Sequence, residues 1–156
     1  MNDNLINAVK KLKNAKIPYR LLEFPAVAKT SQDVERMGDV DPREIIKTLL
    51  VKTEDNRIYA FLLPGIKRLD NKKARELLNT KNLRMLNEDE LKENTPFIPG
   101  EVCPIIIDNI PIYIDKNIFE TEKVNFGSGD LFFGIEISSK DIDKCIKGKV
   151  VDITIE

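Results

Sequence analysis

A chain of 156 residues, 42% of them apolar and 33% charged, can form one folded domain with a sizeable core and needs no disulfide to hold it. A formal net charge of −1 excludes nucleic-acid binding by overall attraction and leaves only a local basic patch for that purpose. The absence of histidine removes the commonest general base and the commonest transition-metal ligand, which excludes Ser-His-Asp and Cys-His mechanisms.

Two cysteines, Cys103 and Cys145, stand far apart without a C-x-x-C pattern, so neither a zinc site nor a redox dithiol is expected. No metal and no cofactor is expected. No apolar stretch reaches membrane-spanning length, and the start, M-N-D-N-L, lacks a basic segment followed by an apolar one. The expectation is a cytoplasmic protein with no membrane partner.

In chain order, Leu5, Ile6, Val9 and Leu12 recur at helical spacing behind capping candidates Asn2 and Asp3, predicting an amphipathic helix to about Lys16. Pro18 forces an extended segment, and Tyr19 to Phe24 reads as a strand stopped by Pro25. Thr30 or Ser31 can cap a short helix that Gly38 ends; for Thr30 a cap and a place in a pocket are both open. Asp41-Pro42 starts a helical turn that leads into R-E-I-I-K-T-L-L-V-K, residues 43 to 52.

Lys47 interrupts an apolar run at the predicted helix-to-strand join. Such a cation must snorkel to water, find an anion or line a cavity; the plainer alternative is the last polar residue before a buried strand. Leu49 to Lys52 and Ile58 to Leu63, joined at Glu54-Asp55-Asn56, predict a hairpin. Asp70 caps a helix over Asn71 to Leu78, with Lys67, Arg68, Lys72 and Lys73 clustered at its start as the best phosphate-contact candidates.

Leu83 to Leu86 reads as a short strand and Asn87 as the cap of an acidic helix, Glu88 to Glu93. T-P-F-I-P-G-E-V-C-P, residues 95 to 104, is a shaped loop because of its prolines and glycine. Cys103 to Asp108 and Ile112 to Asp115 are expected as strands, followed by Val124 to Phe126, a G-S-G-D turn at 127 to 130, and Phe132 to Ile137. A helix from Ser138 or Ser139 through Ile146 and a last strand, Val150 to Ile155, complete the chain. The pattern predicts a mixed α/β fold over residues 1–156 as one compact domain, a curved mixed sheet or partly closed barrel with helices packed outside.

Five pieces occur in order: I-I-K-T-L-L-V-K at 45 to 52, L-P-G-I-K-R-L-D-N-K-K at 63 to 73, G-E-V-C-P at 100 to 104, Y-I-D at 113 to 115, and G-S-G-D with I-E-I-S at 127 to 138. Over nearly its whole length the chain resembles the YbaK and prolyl-tRNA synthetase-associated editing domains, a family of aminoacyl-tRNA deacylases. The resemblance implies a compact mixed α/β fold whose pocket hydrolyses the ester of an amino acid wrongly attached to a tRNA, often the tRNA for proline. Its implied partners are tRNA and, secondarily, an aminoacyl-tRNA synthetase.

By the same resemblance Lys47 is the residue tied to activity, and the loop Gly100, Val102, Cys103, Pro104 lines the pocket, with Thr30 beside it. Asp115 matches a family position at a strand end, where it orients water or the substrate amine or else caps a turn. Gly127, Ser128 and Gly129 are assigned to the pocket rim, and Lys67, Arg68 and Lys72 to tRNA phosphates. The synthetase-inserted members commonly carry a pocket histidine, which is missing here. Read from the residues alone, Cys103 is a small buried filler, because no base is present to activate it. The alternative to an enzyme is a non-catalytic module that binds an aminoacyl-tRNA end or a nucleotide.

Overall fold

The computed structural model describes residues 1–155. Helix α1 (Asp3–Asn14) is started by Asn2, whose side chain accepts from the Leu5 amide, and carries Lys11 and Lys13 in its last turn, where they complement the helix dipole. Leu5, Ala8 and Leu12 form its buried stripe, and burying each leucine contributes about 1.5–3 kcal/mol. Strand β1 (Tyr19–Glu23) and helix α2 (Ser31–Gly38) follow. A 3-10 turn, Pro42–Glu44, leads to strand β2 (Ile46–Thr53), which turns back as β3 (Ile58–Pro64).

Strand β4 (Arg68–Leu69) precedes helix α3 (Asn71–Leu78), capped by Asp70 as expected, then come β5 (Leu83–Met85) and α4 (Glu88–Asn94). Glu90 ties α4 to the sheet by accepting from Arg84 at 2.6 and 2.8 Å and from Lys52 at 2.8 Å. Strands β6 (Ile112–Asp115), β7 (Lys123–Gly127) and β8 (Phe133–Ser138), the single-turn helix α5 (Ile142–Cys145), and strands β9 (Lys149–Val151) and β10 (Thr154–Ile155) complete the chain.

The strands form a five-stranded mixed sheet in the order β5-β2-β3-β6-β9, a three-stranded antiparallel sheet β1-β8-β7, and a β10-β4 pair; they do not close into a barrel. Strand β3 is buried on both faces. Ala60 and Leu62 join the main core with α1 and the inner residues of β8, Ile135 and Ile137. Phe61 and Leu63, on alternate positions, pack with Ala74 and Leu78 of α3 and with Ile153. The two larger sheets share the main core, and among the described residues one isolated parallel bridge, Ile45 to Asn125, pairs the strands across them. Strand β5 pairs with β2 only at Val51 to Thr53, so the Ile46 to Leu49 edge is left for β7 and the loops around it.

Four expectations change. Lys47 is the second residue of β2 and pairs in register with Leu63, so the helix-to-strand join lies earlier than expected. Cys103 to Asp108 is not a strand: Pro104, which has no amide to donate to a ladder, opens a 3-10 turn, Pro104–Ile106, whose isoleucines are buried against the main core. The helix expected from Ser138 through Ile146 is a 3-10 turn, Ser139–Asp141, running into α5, and Ser138 makes no side-chain capping bond because its hydroxyl donates to the Glu122 carbonyl. The last strand divides: β9 continues the five-stranded sheet beside β6 while β10 pairs with β4, and Asp152 between them pairs with Lys73 and Lys116.

Asp115, fully buried at the end of β6, holds this division in place. Its carboxylate accepts from the Ile153 amide at 3.1 Å, the Thr154 hydroxyl at 3.0 Å and the Asn117 amide at 3.2 Å. Asp115→Ala strands those donors in the interior and is expected to destabilise the protein by about 2–4 kcal/mol, measured by denaturant unfolding.

Candidate active site

A cavity of about 240 Å³ lies where the two larger sheets diverge beyond the Ile45–Asn125 bridge. One wall is apolar: Leu22 and Phe24 from β1 and its end, Ala28, Val34 of α2, Ile45, and Phe126 of β7. The floor is low because β7 and β8 present Gly127 and Gly134 there, opposite each other in register. A Cβ on Gly127 would collide with the Val102 carbonyl oxygen, so this glycine lets the 100–102 loop lie directly on β7. Gly100, at φ +86°, turns that loop against Lys29 and Leu131 in a conformation that favours glycine.

The polar lining consists of Lys47 and Thr48 from β2, Thr30 and Ser31 at the start of α2, and Asn125, Ser128 and Asp130. Three of these groups, Thr30, Ser128 and Asp130, are committed to the protein. Thr30 accepts from the Asp33 amide at 3.1 Å while Asp33 accepts from the Thr30 amide, a reciprocal capping box, so Thr30 both caps α2 and lines the cavity. The buried Ser128 hydroxyl bonds the carbonyls of Phe133 at 2.6 Å and Asp130 at 3.0 Å, and the Asp130 carboxylate accepts from the Asn2 and Phe132 amides.

Lys47 differs from them. Among the described residues no carboxylate pairs with it and no hydrogen bond holds it. Burial pushes its pKa below the ordinary lysine value, and the nearby Arg68 guanidinium lowers it further. It is a cation at an apolar wall with no anion of its own. That arrangement is unfavourable for the isolated protein and favours a ligand with negative charge or acceptor oxygens.

The candidate residues separate by position. Lys47, Thr30, Gly100, Val102, Gly127 and Ser128 line the cavity together. Arg68 stands close enough to act on Lys47, and Lys67 precedes it on the same short connection after β3. Lys72 instead lines a surface depression with Glu54 and Arg75. Gly129 approaches Asn4 of α1, Pro104 lines a separate depression with Lys11 and Asn14, and Asp115 is committed to the C-terminal strand. Cys103 is fully buried in the main core, where desolvation pushes its thiol up to about 12. A thiol at that value is protonated at neutral pH and is not a nucleophile.

Asn125 is the cavity residue that sequence reasoning passed over. It is 1% exposed, and among the described residues its Nδ2 and Oδ1 are the buried side-chain polar atoms without a hydrogen-bond partner. Its register partner Glu136 is held by the Arg20 guanidinium at 2.9 and 3.2 Å. Asn125 is near enough to help keep that carboxyl below its usual range, after the larger effect of Arg20, but does not reach hydrogen-bonding geometry.

With this geometry in view, comparison with known proteins identifies its class. The family profile described as the aminoacyl-tRNA editing domain matches residues 25–145. The chain belongs to this family. The proline–tRNA ligase of Shouchella clausii is 32% identical over 114 residues, which cover 72% of this chain and 20% of the ligase. That of Heliobacterium modesticaldum is 31% identical over 100 residues, 64% of this chain and 17% of the ligase. This editing-domain chain therefore spans about a fifth of the length of the ligases it matches. The protein YwhH of Bacillus subtilis is 27% identical over 129 residues, 82% of each chain.

Among solved structures, the hypothetical protein APE2540 superposes with a TM-score of 0.84 at 27% identity, covering 95% of this chain and 99% of that one. A protein proposed as a trans-editing enzyme for prolyl-tRNA synthetase gives the same TM-score at 23% identity over 100% and 99%, and shares the fold. Among the described residues no helix is long and apolar enough to cross a membrane, and no cluster of His, Cys, Asp or Glu could hold a metal ion.

The electrostatics give a direct check. In a proton titration followed by NMR of the lysine side chains, Lys47 is expected to have a midpoint below 10.5, the ordinary value. Arg68→Ala should move it only part of the way back, because burial is the larger cause. A lysine with a lowered folded pKa costs stability while it is charged, below that pKa. Lys47→Met is therefore expected to leave Tm at neutral pH unchanged or raise it.

Proposed function

We propose that the protein is a trans-acting aminoacyl-tRNA deacylase, working in the cytoplasm with residues 1–156 as one editing unit. Its substrate in this reading is the tRNA for proline carrying a small non-cognate amino acid such as alanine or cysteine. The observation that carries the proposal is the unpaired Lys47 cation in an apolar-walled cavity of about 240 Å³, within a chain of the editing-domain family. The kinship with proline–tRNA ligases supports the choice of tRNA.

Hydrolysis needs little from the protein because an aminoacyl ester is already activated. Water attacks the ester carbonyl carbon, the carbonyl oxygen takes up negative charge, and the tetrahedral intermediate collapses. The terminal ribose oxygen leaves, takes a proton, and the free amino acid and tRNA result. The group required is one that stabilises the oxyanion, and Lys47 is assigned that part, with the ribose or terminal phosphate keeping it charged. The apolar wall from Leu22 to Val34 and the backbone of the 100–102 loop bound the space for the amino-acid side chain, so selection is by size. Neither histidine nor a thiolate is needed, consistent with the composition and the protonated Cys103.

The test is release of labelled amino acid from tRNA for proline charged separately with alanine, cysteine and proline. Wild type is expected to release one or both non-cognate residues selectively, and Lys47→Ala to be at least about 100-fold slower, the usual scale for losing an oxyanion-stabilising group. Unchanged release by Lys47→Ala would remove Lys47 from the mechanism. Protection of all three esters would turn the reading into the binding-module alternative.

Lys67, Arg68 and Lys72 are assigned to tRNA phosphates. The rate at low substrate should then fall as salt rises, and each single alanine substitution should reduce the slope of log rate against log salt by about 1. Lys72, which stands apart from the cavity, is the one most easily separated from the others by this measurement.

A further inference from the structure

We propose that Asn125 is a substrate-binding residue that reads the α-ammonium of the aminoacyl group through Oδ1 while Nδ2 donates to an acceptor oxygen on the same ligand. The assignment rests on the editing-deacylase reading and deepens it by naming how that site tells an aminoacyl ester from other esters.

Leaving a carboxamide buried and unpaired is unfavourable, since folding strips water from both its donor and its acceptor without replacing it. Asn125 does this at 1% exposure on a wall of the cavity. Strand pairing fixes its direction. Asn125 lies opposite Glu136, and Gly127 opposite Gly134, so the carboxamide shares a sheet face with the two glycines that form the cavity floor. Val124, on the alternate face, belongs to the main core.

The chemistry of the lining narrows what the carboxamide meets. An aminoacyl ester brings an ammonium, which only donates, and a carbonyl, which only accepts. Lys47 can serve the carbonyl but repels the ammonium. The Asp130 carboxylate accepts from two backbone amides, Ser128 is bonded to two carbonyls, and Thr30 is the helix cap. The hydroxyls of Ser31 and Thr48 are half-exposed, and among the described residues the fully buried acceptor left without a partner is Asn125 Oδ1. Because Ile45 bridges directly to Asn125, the carboxamide and Lys47, two residues further along the same chain, flank one small volume. The cation and the neutral amide thus present complementary polarity to the two ends of an α-amino ester.

The experiment uses two hydrolysis-resistant probes, 3′-alanylamino-3′-deoxyadenosine and its N-acetyl derivative. Their affinities are measured calorimetrically for wild type, Asn125→Ala and Asn125→Leu, alongside Tm and release of alanine from charged tRNA for proline. Wild type is expected to prefer the free amine by about 10-fold or more, the scale of a hydrogen bond to a charged group. Both variants should lose that preference, bind the acetylated probe within about threefold of wild type, and melt at or above the wild-type Tm because an unsatisfied amide has been removed.

Retention of the preference in the variants would overturn the assignment, as would failure of wild type to bind the free-amine probe. A fall in Tm in both variants with the preference intact would make Asn125 structural. Unchanged probe affinities with a lowered kcat would make it a holder of the attacking water, which also overturns it. If wild type shows the preference and the variants lose it while no tRNA is deacylated, the deacylase reading fails and the assignment of Asn125 stands.

Discussion

The site depends on a single point of strand pairing between two sheets. Ile45 and Asn125 are joined by one parallel bridge, and the pairing goes no further. Had it continued, β2 and β7 would have formed one continuous sheet, and the edge carrying Lys47 would have been covered. Because it stops, the strands separate on one side of a fixed hinge, and the gap between them is floored by glycines instead of side chains. Lys47 and Asn125 owe their positions to the same bridge: one sits two residues beyond it, the other is part of it.

Around that bridge several polar groups are satisfied within the protein, while among the described residues the Lys47 ammonium and the buried Asn125 carboxamide are left without partners. The capping box at Thr30 and Asp33, the Asp130 and Ser128 turn, and the Asp115 cluster each settle several donors locally. The unpaired lysine and the unpaired carboxamide stand out against this background. A half-buried cation without an anion and a buried amide without a partner both weaken the free protein.

Much of the fold was legible from local chemistry. Asn2, Thr30, Asp70 and Asn87 act as helix caps where the sequence predicts them, because capping needs only a short polar side chain and the next three residues. The β2–β3 hairpin follows from alternation and its polar turn. Lys47 was visible as a cation in an apolar run. The 103 to 108 segment misled because an isoleucine run reads alike as a strand or as a buried turn, and only the packing against α1 distinguishes them. Asp115 read either as a substrate-facing acid or as a turn cap; it caps the turn at Asn117, and its further partners, Ile153 and Thr154, come from the far end of the chain. Asn125 could not be found by pattern, since burial and the lack of a partner belong to the tertiary structure alone.

The pairing of β1 with β8 has a consequence for biosynthesis. Arg20 and Glu136 face each other in this ladder although they are 116 positions apart, and the cavity's apolar wall begins on β1. On the ribosome that first wall must wait, its strand unpaired, until the last quarter of the chain has emerged. Contacts of such long sequence separation form late, after the loop-closure cost has been met. A growing chain therefore holds no pocket while it is being made, and a truncated product has half a site.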